Sequence, residues 1–305
     1  HAAAILKIRG WTQNLMAVET LKFAVSPDIT LIADRHGSAE GAPALLLHGG
    51  GQTRWSWDAT ARSLSTQAPD WLTVYSVDMR GHGQSGWCRN GNYRVDAFAD
   101  DLRAVVTQLG VPPVIVGASL GGLAALLACG EEPRAACAGL VLVDIAPRIE
   151  ANGSDRVGGF MRETIDGFAS LEEAAAAVAA YAGRTRQSRP EGLLKNLRQD
   201  ADGRFRWHWD PAFMSIGDDG WDLVAFEARL MAAARAITAP ILIVRGRESD
   251  VLSRETMAHL REALPHVAQA EISGARHMIA GDDNARFNEA ILPFLLANAG
   301  KGKSA

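Results

Sequence analysis

Only three cysteines, Cys88, Cys129 and Cys137, occur in 305 residues. Their spacing fits neither a metal-ligand pair nor an even disulfide framework, so a reducing compartment is expected, and with it a cytoplasmic location. No apolar run reaches the roughly 18 residues that a membrane span requires. The opening stretch 1–10 lacks the charged, apolar and small-residue order of a secretory leader, so none is expected. No sign of charge dominates, with 31 Lys plus Arg against 35 Asp plus Glu. A nucleic-acid or anionic-membrane partner would call for a basic excess, so neither is expected. Internal repeats are absent as well.

What is present is an ordinary globular balance of 48% hydrophobic and 22% charged residues, which excludes disordered and fibrous chains. Short apolar runs at Leu21 to Ser26, Ile29 to Asp34, Pro43 to Leu47, Leu72 to Val77, Val114 to Val116 and Leu140 to Val143 read as strands. Helical spacing of Val95, Phe98, Leu102, Val105, Val106 and Leu109, and the apolar stretch Leu123 to Cys129, supply helices between them. Strands apolar on both faces, alternating with helices, predict a parallel sheet covered on each side. From 148 to 238 the strand signal stops and helical stretches take over, including Leu171 to Ala182 and Leu223 to Ala236. The alternation resumes with strands at Pro240 to Val244 and Ala268 to Ile272 and a last helix through Phe287 to Leu296. The expected organisation is a core domain in two parts, 21–147 and 239–298, with a helical cap at 148–238.

The strongest chemical signal is Gly117-Ala118-Ser119-Leu120-Gly121, a G-x-S-x-G between a strand and a helix. The pentad alone is weak; its strand–turn–helix setting is what a nucleophilic serine on a sharp turn requires. A serine hydroxyl attacks only when a base takes its proton. Of the eight histidines, His277, just after the last strand, lies where a closing base would stand. His36, His259 and His266 read as turn or helix-surface residues, and His208, between two tryptophans, as a packing residue. The base in turn needs a buried carboxylate. Asp250 and Asp144 both follow strands; Asp250 keeps the chain order Ser…Asp…His and is the first choice, with Asp144 and Glu248 as alternatives. An oxyanion needs at least two donors. The backbone N–H of Leu120 comes with the elbow, and Gly50, in His48-Gly49-Gly50-Gly51, is the expected second, with Gly51 next to it. Neither a Lys-[Ser/Thr] after these glycines nor a G-x-G-x-x-G supports phosphate binding.

Taken together, His48-Gly49-Gly50-Gly51, Asp78-x-Arg80-Gly81-His82-Gly83-x-Ser85, the Ser119 elbow, Arg245-Gly246…Asp250 and Ala275-Arg276-His277-Met278 resemble the serine hydrolases of the α/β-hydrolase fold superfamily, in their lid-bearing, esterase-like and non-haem-peroxidase-like branch. The resemblance covers nearly the whole chain. It implies an α/β fold with an eight-stranded, mostly parallel sheet, an antiparallel second strand and a helical cap after the sixth. It also implies Ser119 as nucleophile, Asp250 as acid and His277 as base. Arg276 departs from the family, which often has glycine before that histidine. Dehalogenases and epoxide hydrolases of the same fold resemble this chain but carry an aspartate at the elbow, which Ser119 argues against. The loop with Asp78 and His82 is read as structural.

The expected activity is hydrolysis of a carboxylic ester, or a related acyl bond, through an acyl-enzyme, with no cofactor and no metal. Alternatives are a cofactor-free perhydrolase or carbon–carbon bond hydrolase using the same triad, and a ligand-sensing receptor on the same fold. Apolar residues in and around the insertion suggest a small, uncharged substrate. Gly51, Trp55, Met161, Trp207, Trp209 and Met278 are the expected substrate-binding residues. Phe160, Phe213 and Met214 add bulk, and Arg54 and Arg276 are the two arginines that could hold a carboxylate. The expected partner is a small ester, and a homo-oligomer remains open.

Overall fold

The computed structural model describes residues 18–181, 190–215, 222–249, 251–274 and 284–300. Eight strands form one sheet: β1 Glu19–Ala24, β2 Thr30–Gly37, β3 Ala42–Leu47, β4 Leu72–Asp78, β5 Val114–Ala118, β6 Gly139–Val143, β9 Ile241–Gly246 and β10 Ala268–Ile272. Their spatial order is β1-β2-β4-β3-β5-β6-β9-β10. β2 runs antiparallel to both β1 and β4, and every pairing from β4 to β10 is parallel. This is the α/β-hydrolase sheet that the sequence implies, antiparallel second strand included.

The central strands are apolar on both faces because both are covered. In β3, Leu45 and Leu47 join one buried cluster while Ala44 and Leu46 join the other. The period of 2 repeats in β6, where Leu140 and Leu142 face one way and Val141 and Val143 the other. The first face is covered by α2 Val95–Leu109, α3 Leu120–Gly130, α6 Leu223–Ala236 and α7 Arg254–Ala263. The second is covered by α1 Asp58–Gln67 and α8 Asn284–Asn298, joined where Trp57 meets Phe287 at 5.8 Å. Every residue of α3 is buried, so a Leu126→Ala change there removes about 2–5 kcal/mol of stability.

The stretch between β6 and β9 holds α4 Ala151–Glu163, α5 Leu171–Tyr181 and α6, but it is not wholly helical. β7 Leu197–Gln199 and β8 Phe205–Trp207 form a two-stranded antiparallel ribbon within it. Each strand is three residues long, too short to show a period in the sequence. Arg198 and Arg206 both pair with Asp200 at the turn, at 3.0 and 2.9 Å. α6 lies directly on α3. A Cβ at Gly130 would stand 2.4 Å from the Ala233 carbonyl oxygen, so glycine permits that approach.

The segment after β8 is tied into the core. Gly83 N–H donates to the His208 carbonyl at 2.6 Å and Asp210 N–H to the Gly81 carbonyl at 2.7 Å, an antiparallel bridge of His82 with Trp209. Tyr93 Oη donates to Asp210 Oδ2 at 2.6 Å, and Phe213 packs edge-on to His82, Tyr93 and Phe98. Residues 208–213 therefore form a fixed wall over the strand ends.

Candidate active site

β5 delivers Ser119 to the start of α3 with φ 46° and ψ −115°. A non-glycine residue at positive φ stores strain on the order of 1–3 kcal/mol and persists only where its surroundings enforce it. The enforcement is local. A Cβ at Gly117 would lie 2.6 Å from the Gly121 carbonyl, and one at Gly121 would lie 2.7 Å from Leu47. Ser119 N–H donates to the Val143 carbonyl at 3.3 Å, which closes the turn against β6. The serine is half-buried while α3 behind it is fully buried, so the hydroxyl-bearing residue is the one presented.

The loop after β3 passes directly over this turn. A Cβ at Gly49 would stand 3.4 Å from Ser119 Cβ, and one at Gly50 3.9 Å from Leu120 Cδ2. Gly49 N–H donates to Gln52 Oε1 at 3.0 Å and Gly51 N–H to His82 Nε2 at 3.1 Å. The Gly49 carbonyl accepts from Gln52 N–H at 3.1 Å and from His48 Nδ1 at 2.8 Å. Among the described residues, Gly50 N–H has no hydrogen-bond partner. Leu120, the first residue of α3, has an N–H that helix geometry leaves unpaired. The two expected oxyanion donors thus lie on adjoining segments beside Ser119.

Gln52, His48 and His82 are the residues that shape this loop, and none was singled out for it in the sequence. Both histidines are completely buried. Burial lowers His48 to about 4; burial and then the neighbouring His48 lower His82 to about 3. Both rings are neutral at physiological pH.

The expected substrate-binding residues that lie within the described residues fall into three groups. Gly51, Met161 and Trp209 meet: a Cβ at Gly51 would stand 3.0 Å from Met161 Cε and 3.7 Å from Trp209 Nε1. Trp55 is half-buried beside His208, at 6.1 Å between ring centroids. Trp207 packs on Phe160 and Phe168, and its Nε1–H donates to Thr164 at 2.9 Å, which places it in the insertion's own core. Asp250, His277 and Met278, with Arg276 and Trp221, lie outside the described residues.

Two further residues stand differently from their reading in the sequence. Arg54 is 3% exposed, pairs with Asp34 at 2.9 Å and also pairs with the fully buried Asp78. Its charge is already matched inside the core, so it is not a substrate-carboxylate ligand. Asp144, the alternative acid, has no exposed surface and a left-handed backbone at φ 49°. Its Oδ1 accepts from Gly246 N–H at 3.1 Å and its Oδ2 from Ser249 Oγ. Among the described residues no group of three His, Cys, Asp or Glu could hold a metal ion, and no helix is long and apolar enough to cross a membrane.

The sheet order, the strained serine elbow and the glycine loop over it are those of an α/β hydrolase, and residues 44–290 match the description of the alpha/beta hydrolase family. The chain belongs to that family. It is similar to a 3-hydroxybutyrate-oligomer hydrolase of Cupriavidus necator, 29% identical over 252 residues, 77% of this chain and 83% of that protein. An esterase of Mycobacterium tuberculosis is 30% identical over 234 residues, 73% of this chain and 72% of that one. The crystal structure of E-2-(acetamidomethylene)succinate hydrolase superposes with a TM-score of 0.75 at 24% identity, covering 92% of this chain and 99% of that one, a likeness of fold. The protein is a hydrolase with esterase-like relatives.

Proposed function

We propose that the protein is a serine hydrolase that cleaves a carboxylic ester, or a related acyl bond, of a small and largely apolar substrate through an acyl-enzyme. The observation that carries this reading is the strained Ser119 packed against the glycine loop, where a Cβ at Gly49 would stand 3.4 Å from Ser119 Cβ. Ser119 Oγ attacks the acyl carbon as His277 takes its proton. The developing oxyanion accepts from Gly50 and Leu120, and the leaving alcohol departs with the proton from His277. Water, activated by the same base, then releases the acid. The relatives that hydrolyse 3-hydroxybutyrate oligomers and act as an esterase support an ester bond.

For the carboxylate that orients His277, chain order supports Asp250. Burial supports a second reading: Asp144 is wholly enclosed at the end of the strand beside the elbow, with its carboxylate already aimed by Gly246 and Ser249. Met161 and Trp209 beside Gly51 support an apolar acyl site, where each buried methylene adds about 0.8 kcal/mol of binding. Absence of a cofactor, a cytoplasmic setting and a small ester as partner belong to the same reading.

The test is a series of chromogenic esters from acetyl to octanoyl, run with a carboxylate-bearing analogue and with phosphonate labelling of the serine. Saturable hydrolysis of neutral esters, lost in Ser119→Ala with the fold retained, is expected. Ester hydrolysis undiminished in Ser119→Ala would remove the nucleophile. Selectivity for the anionic analogue would remove the apolar site. Phosphonate labelling without turnover would favour a receptor, and peroxide-dependent halogenation in acetate would favour a perhydrolase.

A further inference from the structure

The loop Asp78 to Ser85 is wedged between the glycine loop and the insertion, and His82 touches both. Its Nε2 lies 3.1 Å from Gly51 N, and its Nδ1 lies 2.9 Å from the Arg80 carbonyl oxygen. An amide N–H only donates and a carbonyl oxygen only accepts. One protonation state satisfies both contacts: a neutral ring with its hydrogen on Nδ1 and a lone pair on Nε2. The ring is clamped by Phe213 edge-on at 4.8 Å, His48 at 5.1 Å and Phe98 at 6.4 Å. Its backbone is bridged to Trp209 of the insertion. Burial holds the imidazole well below its usual titration range, so the acceptor is present throughout neutral pH.

The geometry of a trans peptide shows what this contact controls. The N–H and C=O of one peptide unit lie in a plane and point opposite ways. The Gly49 carbonyl is held by Gln52 and His48, which turns the Gly50 N–H of the same unit away from them. The next unit, Gly50–Gly51, is held, among the described residues, by its Gly51 N–H on His82. Glycine has no Cβ to restrict it, so losing that acceptor frees the backbone on the Gly51 side of Gly50 and leaves the Gly50 N–H anchored from one side instead of two.

We propose that His82 is a positioning residue of the oxyanion hole: by accepting the Gly51 N–H it locks the glycine loop so that Gly50 N–H faces the acyl oxygen above Ser119. His82 transfers no proton and touches no substrate. Its contact with Trp209 also makes the docked insertion part of the same support.

The inference rests on the serine-hydrolase reading, and the test separates the two. His82→Phe keeps the aromatic packing and removes the acceptor, whereas His82→Gln returns an acceptor near the Nε2 position. Rates are taken per phosphonate-titrated serine. His82→Phe is expected to lower kcat by about 10²-fold with KM changed by less than about threefold. Binding of a trifluoromethyl ketone, whose oxyanion occupies the hole, should weaken by the same factor as kcat/KM, and His82→Gln should recover about tenfold of the loss. An undiminished kcat per titrated site, with only the fraction of titrated sites or the Tm reduced, overturns the proposal. Should His82→Phe not fold, ¹⁵N-histidine spectra of the wild-type protein decide: an Nδ1–H ring with an accepting Nε2 is expected, and an Nε2–H ring overturns it. Activity surviving in Ser119→Ala sinks the hydrolase reading itself. Loss in Ser119→Ala alongside full activity in His82→Phe sinks only the role of His82.

Discussion

Ser119 donates its amide hydrogen to the Val143 carbonyl, so the elbow is joined to the strand end that carries Asp144 one residue later. Asp144 is buried there with φ 49°, a conformation that costs a non-glycine residue energy and persists through its bonds to Gly246 and Ser249. Asparagine tolerates the same backbone and removes only the charge. Asp250→Asn is expected to lower kcat by about 10⁴-fold, and Asp144→Asn, with the fold retained, by much less, about tenfold at most. The reverse pattern would move the acid to Asp144. Circular dichroism beside steady-state kinetics reads both.

The glycines of the elbow are required by space. In Gly121→Ala the new methyl would meet Leu47 Cβ and the Leu47 carbonyl, each at 2.7 Å, and backbone cannot move aside as a side chain can. A loss of about 1–3 kcal/mol, or more if the turn opens, is expected from urea unfolding, together with loss of serine labelling. Gly159→Ala is the control. Nothing lies within 4 Å of a Cβ there, and alanine in a helix should stabilise by up to about 1 kcal/mol.

Stability should fall on mild acidification. His48 and His82 titrate near 6.5 when unfolded, against about 4 and about 3 when folded. Between those values the unfolded chain binds more protons, so the stabilisation is complete above pH 6.5 and declines as pH drops. Each histidine removes up to about 1.4 kcal/mol per pH unit, and the loss levels off once the folded rings also take protons. Urea unfolding at pH 7, 6 and 5 should show this decline, with a shallower slope in His48→Gln. A flat profile would mean that the rings are not held neutral.

Tyr93 fastens the insertion to the core. Its hydroxyl donates to Asp210 and accepts from Cys88 N–H at 2.8 Å, and Tyr93→Phe leaves both groups short of a partner. A cost of about 1–3 kcal/mol is expected. Limited proteolysis should cut within 190–215 sooner than in the wild-type protein, while the core fragment persists. Cleavage spread evenly over the chain would deny this contact its fastening role.

The sequence by itself determined the eight strands, because a run such as Leu140 to Val143 is apolar on both faces whatever surrounds it. It also determined the Ser119 elbow, since Gly117 and Gly121 are demanded by the local turn. The three-residue strands β7 and β8 were beyond it, being too short to carry a period. So were the relations between distant residues. Only the tertiary structure turned Arg54 onto Asp78 across 24 residues, set His82 beneath Gly51 across 31 and brought Asp210 to Tyr93 across 117. A buried charge or polar group must find a partner, and which one it finds depends on what the fold places within about 3 Å.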